Sequence, residues 1–150
     1  MAPEFVRYNE AVERAKQDDT QGAVKIYEEV LAERPTFIQA RQNLGALYYE
    51  MGKYDFAEHQ FRLLLEVVPG YPLGMENLAV TLLALGGRER EEEAMKLLRK
   101  ALTVENRPEW QQQVAEFIAK PEPPSPQSGE APPAESTGLK SLREAGTGKR

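Results

Sequence analysis

Small and hydrophobic residues in the middle of the chain recur every three to four positions, which is the spacing of one helical face. Between residues 37 and 51 they include Ile38, Leu44, Ala46, Leu47, Tyr48 and Met51. Gly52 follows directly, and a second run with the same spacing ends at Pro69. Because glycine readily adopts the left-handed conformation and proline cannot continue a helix, the pattern predicts two helices joined by a short turn.

The same pattern returns after 34 residues. The matching pairs are Ala23 and Ala57, Tyr27 and Phe61, Pro35 and Pro69, Phe37 and Tyr71, Leu44 and Leu78, and Gly52 and Gly86. A fixed period of this length is typical of repeat proteins, in which each unit buries its hydrophobic faces against its neighbours. The sequence therefore predicts stacked helix pairs.

The first copy of the repeat is degenerate in its first helix, where the expected bulky, Leu, Gly and Tyr positions hold Arg7, Glu10, Ala11 and Arg14. A terminal repeat has no upstream neighbour, so polar residues are expected on its outer face. Asp18 stands where the glycine stop falls, and aspartate tolerates the left-handed conformation better than most residues.

The third copy fits the pattern when three residues are inserted within 87–93. This acidic insertion predicts either a longer loop or one extra first turn of the next helix, where the helix dipole favours glutamate. Pro108 then predicts the start of a last, capping helix, since proline is favoured at the first helical position. Its apolar side is predicted to contain Trp110, Val114, Phe117 and Ile118.

The composition changes after residue 120. Six of the eleven prolines lie between residues 121 and 133, and almost nothing apolar follows except Leu139 and Leu142. Such a composition cannot form a packed core, so the sequence predicts a folded domain at 1–120 and a disordered tail at 121–150. The stretch 139–145 is either a transient helical turn or a short recognition motif.

The charge and the residue composition narrow the classes of function that this chain can have. The net charge of −5 lies entirely in residues 1–120, which disfavours binding to nucleic acid. The chain has no cysteine and one histidine, His59, so thiol chemistry and multi-histidine metal sites are excluded. We expect no cofactor, no metal and no enzymatic activity. No apolar run approaches the ~20 residues that span a bilayer, and we expect a cytoplasmic protein with no membrane segment.

The residues Leu44, Gly45, Tyr48, Gly52, Ala57, Phe61 and Pro69 resemble the tetratricopeptide repeat pattern. The resemblance implies an all-α, right-handed α-solenoid of antiparallel helix pairs. Its repeats would lie at about 4–37, 38–71 and 72–108, followed by the capping helix at 108–120. The family's first helices line a concave groove that binds peptide segments or partner helices, and its members generally have no catalysis of their own.

Placing the family's register on this chain predicts a partner-binding groove made of residues from the three first helices. These residues are Tyr8, Asn9, Val12, Gln39, Gln42, Asn43, Ala46, Tyr49, Leu73, Glu76, Asn77, Val80 and Leu83. Asn9, Asn43 and Asn77 recur at the period of the repeat, and each carboxamide offers a donor and an acceptor to a peptide backbone. The alternative is that these asparagines bond within or between helices.

Co-chaperone members of the family hold a carboxylate with Lys, Asn and Arg, and only Asn43 of that set is matched here. Tyr8, Val12, Leu73 and Asn77 stand at the other positions. An apolar peptide or hydrophobic helix therefore suits the groove better than a carboxylate. The prediction is a protein or peptide partner, bound by an adaptor, scaffold or assembly chaperone. The alternative is a structural protein that self-associates into a homo-oligomer.

Overall fold

The computed structural model describes residues 3–104 and 108–119, apart from the side chains of Trp110, Gln113 and Val114. The predicted tail at 121–150 lies outside these residues. The described part is built from helices: α1 (Pro3–Lys16), α2 (Thr20–Glu33), α3 (Ile38–Glu50), α4 (Tyr54–Val67), α5 (Pro72–Leu85), α6 (Arg88–Val104) and α7 (Pro108–Ala119). Each helix packs against the next one in the chain, and α3 also touches α5. The predicted all-α solenoid is confirmed.

The helix ends fall where the sequence predicts them. Gly52 and Gly86 have φ values of 77° and 79° and follow α3 and α5. Asp18 takes the equivalent place after α1 with φ 64°, and it is the one non-glycine residue with positive φ in the described ranges. Its neighbour Asp19 caps α2 by accepting a hydrogen bond from the backbone N–H of Gly22 at 3.1 Å. The turns are therefore set by local chemistry.

The two helices of the central repeat approach each other at Gly45. A Cβ atom placed on Gly45 would lie 2.6 Å from Cε1 of Phe61, which is closer than side chains tolerate. Phe61 is buried and contributes its ring to the core between α3 and α4. The small residue at this position allows the close packing that the sequence predicts.

The three inserted residues extend a helix and do not lengthen a loop. The helix α6 has 17 residues, whereas α2 and α4 have 14 each. In the second turn of this helix, Glu93 lies opposite Arg62 of α4, and the two side chains form a bidentate pair at 2.8 and 2.9 Å. Both side chains are partly exposed, so this pair fixes the orientation of α6 more than it adds stability.

Arg41 stands where the repeat pattern expects a bulky apolar residue, and the structure buries it to 9% exposure. Its guanidinium donates to Oε1 of Gln60 at 2.9 Å and to the carbonyl of Pro35 at 2.8 Å. Burial lowers the pKa of Arg41. The aliphatic stem of Arg41 fills the apolar site, while its guanidinium hydrogen-bonds to the turn before α3 and to α4.

Burial rises along the first helices of the three repeats. Ala11 is the buried residue of α1, whereas residues 74–83 of α5 are all buried. A helix that is buried on every side lies at the centre of a packed structure. In α7, Phe117 is buried and Ile118 is half-buried, which agrees with the predicted apolar side. Trp110 and Val114, also predicted there, have side chains outside the described part.

Candidate functional site

The predicted groove residues follow helical spacing on α1, α3 and α5, so each set lies along one side of its helix. On α1, Asn9 is exposed while Tyr8 and Val12 are half-buried. Of the five predicted residues on α3, Gln39 is exposed, Asn43 and Ala46 are half-buried, and Gln42 and Tyr49 are buried. This surface is open to solvent at α1 and closes towards α5.

On α5 the predicted residues are more deeply buried. Leu73 is half-buried, and Glu76, Asn77, Val80 and Leu83 are buried. The backbone carbonyl of Asn77 accepts a hydrogen bond from the Thr81 hydroxyl at 2.8 Å. Because α3 and α5 are in contact, their two sets of residues adjoin.

A polar cluster of Tyr8, Tyr27 and Asn43 joins the first repeat to the second. The Nδ2 atom of Asn43 donates to the hydroxyls of both tyrosines, each at 3.1 Å. Both amide protons of Asn43 are therefore bonded within the chain, which is the alternative that the sequence left open for the asparagines. Its Oδ1 atom is the part of this side chain that a partner backbone would meet. Burial raises the pKa of Tyr27 to about 12, and the Asn43 bond opposes that rise.

Aromatic rings line the open end of this surface. The ring of Tyr8 stacks on Phe37 with centroids 5.1 Å apart, and Phe5 meets the same ring edge-on at the same distance. The guanidinium of Arg34 lies 5.6 Å from the centroid of Phe5. Tyr49 of α3 contacts the ring of Tyr54 at 5.0 Å. These rings give the surface rigid, amphipathic contact area.

Gln42 is the unusual side chain of the site. It is 6% exposed, and neither its Nε2 nor its Oε1 atom has a hydrogen-bond partner in the described structure. Leaving a buried polar group unsatisfied costs about 1–3 kcal/mol. The sequence placed Gln42 in the groove by its register, but it gave no signal that the carboxamide would be both buried and unpartnered.

Charged side chains of both signs lie near the groove, since the guanidinium of Arg34 lies over Phe5 at its open end. Glu76 is 1% exposed and is the one ionisable side chain of α5, while Glu50 ends α3 and is exposed. None of the predicted groove residues is Lys or Arg. A surface of this kind favours ligands with apolar side chains over anionic ones.

Apart from Glu76, the predicted groove residues are amides, aromatics and aliphatics, which suit them to hydrogen bonding and apolar contact. In the described ranges, no group of three or more His, Cys, Asp or Glu side chains is arranged to hold a metal ion. None of the helices in this part of the chain is long and apolar enough to cross a bilayer.

This arrangement of helices resembles that of a known protein family and of solved structures. Residues 14–74 match the family described as "Tetratricopeptide repeat". No curated protein sequence matches the chain.

Two solved structures illustrate the similarity of the fold. One is the first tetratricopeptide domain of Spaghetti (RPAP3) bound to the HSP90 peptide SRMEEVD, which is 19% identical with a TM-score of 0.65, covering 78% of this chain and 94% of that one. The other is the CopN–Scc3 complex, which is 18% identical with a TM-score of 0.67, covering 76% of this chain and 67% of that one. At these identities the similarity concerns the fold.

Proposed function

We propose that this chain, whose residues 14–74 match the tetratricopeptide repeat family, is a non-catalytic interaction module whose first-helix face binds a peptide segment or helix of another protein. The adaptor, scaffold or assembly role that this implies would be exercised through α1, α3 and α5. Both similar structures are complexes, one with a peptide and one between two proteins, which supports this class of function.

The observation that carries the proposal is the unsatisfied carboxamide of Gln42. A buried amide without partners is unfavourable in the free chain, and an extended peptide can pair its backbone N–H and C=O groups with both atoms only where binding opens the surface that covers Gln42. Binding would then recover the free energy that the chain loses by burying this group. A purely structural residue at this position would be better apolar.

The chemistry of the same face selects the ligand. A peptide as acidic as SRMEEVD would find neither Lys nor Arg among the predicted groove residues. Tyr8 and Val12 are half-buried and offer aromatic and aliphatic surface, whereas Tyr49, Val80 and Leu83 are buried in the free chain. The ligand we propose carries apolar side chains.

Self-association is the second candidate, and exposed apolar residues on the terminal helix favour it. Phe5 is 40% exposed and Val6 is 53% exposed on α1, so a second copy has apolar surface to cover. Light scattering of the chain at increasing concentration decides between the two. A constant monomer mass excludes self-association as the function.

The test of the groove uses Gln42→Met, which keeps the shape of the side chain and removes its polar atoms. Binding peptides are first selected from a displayed library of random 12-residue sequences, with the full chain as bait, and then measured by calorimetry. We expect Gln42→Met to bind these peptides about 5- to 30-fold more weakly while it unfolds at a higher urea concentration, because the buried unpaired amide is gone.

The matched control is Gln21→Met, since Gln21 is exposed on α2 and lies outside the predicted groove. This control should change neither the affinity nor the urea midpoint by a measurable amount. Unchanged peptide affinity in Gln42→Met, with the chain folded, would place binding on another surface.

A further inference from the structure

We propose that the solvent-exposed side of α4 is a second docking surface, which takes an amphipathic helix of another protein with basic residues along one edge. The surface consists of Phe56, Leu63 and Val67, which we name the α4 stripe. It lies on the second helix of the central repeat, whereas the predicted groove uses first helices alone. The stripe is therefore separate from the site of the proposed function.

The α4 stripe is apolar and open to solvent. Phe56 is 54% exposed and Val67 is 41% exposed, while Leu63 is half-buried. These residues are seven and four positions apart, so they lie along one side of the helix over about three turns. Single exposed apolar residues are ordinary on protein surfaces, but three on one side of a helix form a surface that a partner can cover.

The neighbouring repeats serve as internal references for the stripe. Ala57 of α4 matches Ala23 of α2 and Ala94 of α6, and each of the three is 0% exposed, which fixes the equivalent positions. At the three stripe positions, α2 has Gly22, Glu29 and Glu33, and α6 has Glu93, Lys100 and Val104. The other second helices thus carry mostly charged residues where α4 is apolar. The repeat fold therefore does not require apolar side chains at these positions.

The backbone of α4 favours a helix as the ligand. Between the ends of α4, the N–H and C=O groups are paired within the helix, so its surface presents side chains and no free edge of backbone groups. An extended peptide docked there would find no partners for its own backbone groups, whereas a helix pairs these groups internally. A partner helix of three to four turns matches the length of the stripe.

Two exposed carboxylates border the stripe on one edge. Asp55 and Glu66 are 11 residues apart, so they lie on the same side of α4, about 16 Å from each other along its axis. The ion pairs of α4 within the described ranges are those of Arg62, and neither carboxylate takes part in them. Glu66 acts on Arg41 through space without a hydrogen bond. Lys or Arg along one edge of the partner helix would complement both carboxylates.

The charges at the stripe fit a partner helix better than a second copy of this chain. Lys53 lies at the beginning of the stripe, where its Nζ atom is 5.9 Å from the centroid of the Phe56 ring. An antiparallel pairing of two α4 helices would place Asp55 of each copy beside Glu66 of the other. Like charges oppose that arrangement, so the stripe favours a helix of different sequence.

The first experiment selects ligands with the full chain as bait. The displayed library is a helix of about four turns with leucine fixed at positions i, i+4, i+7 and i+11, and with Lys, Glu and Gln equally allowed along both edges. We expect the selected peptides to carry Lys along one edge and to bind in calorimetry with a dissociation constant on the order of 10 μM. A selection without binders, or binders with no preference for Lys, overturns the proposal.

Two double variants of the full chain locate the site. Phe56→Gln/Val67→Gln makes the stripe polar without adding charge. Val6→Gln/Val104→Gln is the matched control, because these residues are 53% and 49% exposed outside the stripe. We expect the first variant to weaken the selected peptides at least tenfold and the control to change their affinity less than twofold. Equal affinities for the two variants overturn the proposal.

Both double variants are expected to keep the urea midpoint of the wild type, since all four substituted side chains are exposed. Val67→Gln alone is the second variant if the double one unfolds early, and it should weaken the peptides at least threefold. Unchanged affinity in this folded single variant would also overturn the proposal.

Asp55→Asn/Glu66→Gln tests the charged edge. It should weaken the selected peptides about 3- to 10-fold at low salt and less than twofold at about 0.5 M salt, because salt screens exposed charges. The control Glu89→Gln/Glu92→Gln removes two exposed carboxylates from α6 and should leave the affinity within twofold of the wild type. Equal effects of these two variants contradict the basic edge of the ligand.

Self-association and the groove give different results in the same experiments. A dimer that the wild type forms and Phe56→Gln/Val67→Gln does not form, measured by light scattering, would assign the stripe to a second copy and overturn this proposal. Selected helices that bind Gln42→Met at least fivefold more weakly, and ignore the stripe variant, occupy the groove instead. That outcome overturns the stripe and leaves the proposed function intact.

Discussion

Phe61 packs its ring against the backbone of Gly45, so that a Cβ atom there would lie 2.6 Å from Cε1 and 2.7 Å from Cζ of the ring. The contact joins α3 to α4 at the centre of the second repeat. Because the ring is buried and closely surrounded, it has little room to move away from an added methyl group. The absence of a side chain at Gly45 is therefore a packing requirement.

Gly45→Ala is expected to destabilise the chain by about 1–3 kcal/mol, since inserting a methyl group into a packed core forces a shift of the ring or the backbone. Urea unfolding followed by circular dichroism measures the change. Gly70→Ala is the control, because no atom lies within 4 Å of its Cβ position, and it should remain within about 0.5 kcal/mol of the wild type. If Gly45→Ala proved as stable as this control, the close packing would be contradicted.

Asp18 and Gly52 lie at equivalent helix ends, and both have a positive φ. Glycine suits this conformation better than aspartate does. Asp18→Gly should stabilise the chain by up to about 1 kcal/mol, because glycine adopts the left-handed region without strain. Gly52→Ala should destabilise it by about 1 kcal/mol for the same reason, although no atom lies near its Cβ position. Thermal melting of both variants checks the signs, and shifts in the same direction would refute the shared geometry.

The pairing of Glu93 with Arg62 predicts a dependence of stability on pH. The hydrogen bond from Arg62 lowers the pKa of Glu93 below its ordinary value of 4.5. A lowered pKa in the folded state stabilises the chain above pH 4.5, and this contribution disappears as the pH falls through the folded value. Because both side chains are partly exposed, we expect Glu93→Gln to cost at most about 1 kcal/mol at pH ~7 and nothing at pH ~2.

The control for this pH dependence is Glu92→Gln, which removes an exposed carboxylate from the same turn. Urea midpoints measured between neutral and strongly acidic pH should show the pH-dependent difference for position 93 and none for position 92. Equal profiles would mean that the bidentate pair contributes nothing in solution.

Asn43→Ala is expected to destabilise the chain by about 1–2 kcal/mol, because it leaves the hydroxyls of Tyr8 and Tyr27 without their donor. Combining it with Tyr27→Phe in a double-mutant cycle should give a coupling of about 0.5–1.5 kcal/mol. Gln39→Ala, at an exposed position of the same helix, is the control and should be nearly neutral. Strict additivity of the two changes would show that the Asn43–Tyr27 bond is not formed in solution.

Tyr27 also predicts sensitivity to alkaline pH. Burial raises its pKa to about 12 from 10.0, so the folded state favours the neutral phenol. A raised pKa contributes stability that is complete below pH 10 and is lost as the pH rises to about 12. Over that range the wild type should lose up to about 2–3 kcal/mol more than Tyr27→Phe, as measured by urea unfolding. Parallel losses in the two chains would contradict the burial of the hydroxyl.

The periodicity of the sequence was enough to predict the fold, because the interactions that set the fold are local. The helix ends at Asp18, Gly52 and Gly86 depend on the backbone preferences of single residues. The contact between Gly45 and Phe61 follows from a residue spacing that recurs between the copies of the repeat. The insertion before Glu93 was ambiguous, since both a loop and an extra turn satisfied the sequence. The contact with Arg62, which lies 31 residues away, accompanies the extra turn.

The groove chemistry was less accessible from the sequence. Arg41 and Gln42 are adjacent polar residues that both become buried, yet Arg41 finds Gln60 and the Pro35 carbonyl while Gln42 finds nothing among the described residues. That difference depends on where α4 lies relative to each side chain, which no local pattern encodes. Asn43 was likewise open to two interpretations until Tyr8 and Tyr27 were placed beside it.

The packing of each helix on the next one in the chain has a consequence for how the protein is made. Contacts of short sequence separation form quickly, because little loop entropy opposes them. Each helix pair can therefore dock as soon as it leaves the ribosome, and α1 to α4 need not wait for the rest. The apolar α5 can pack on α3 and α4 at once, but its side that faces α6 stays exposed until α6 is made, so the synthesis of residues 72–104 leaves apolar surface without its contact.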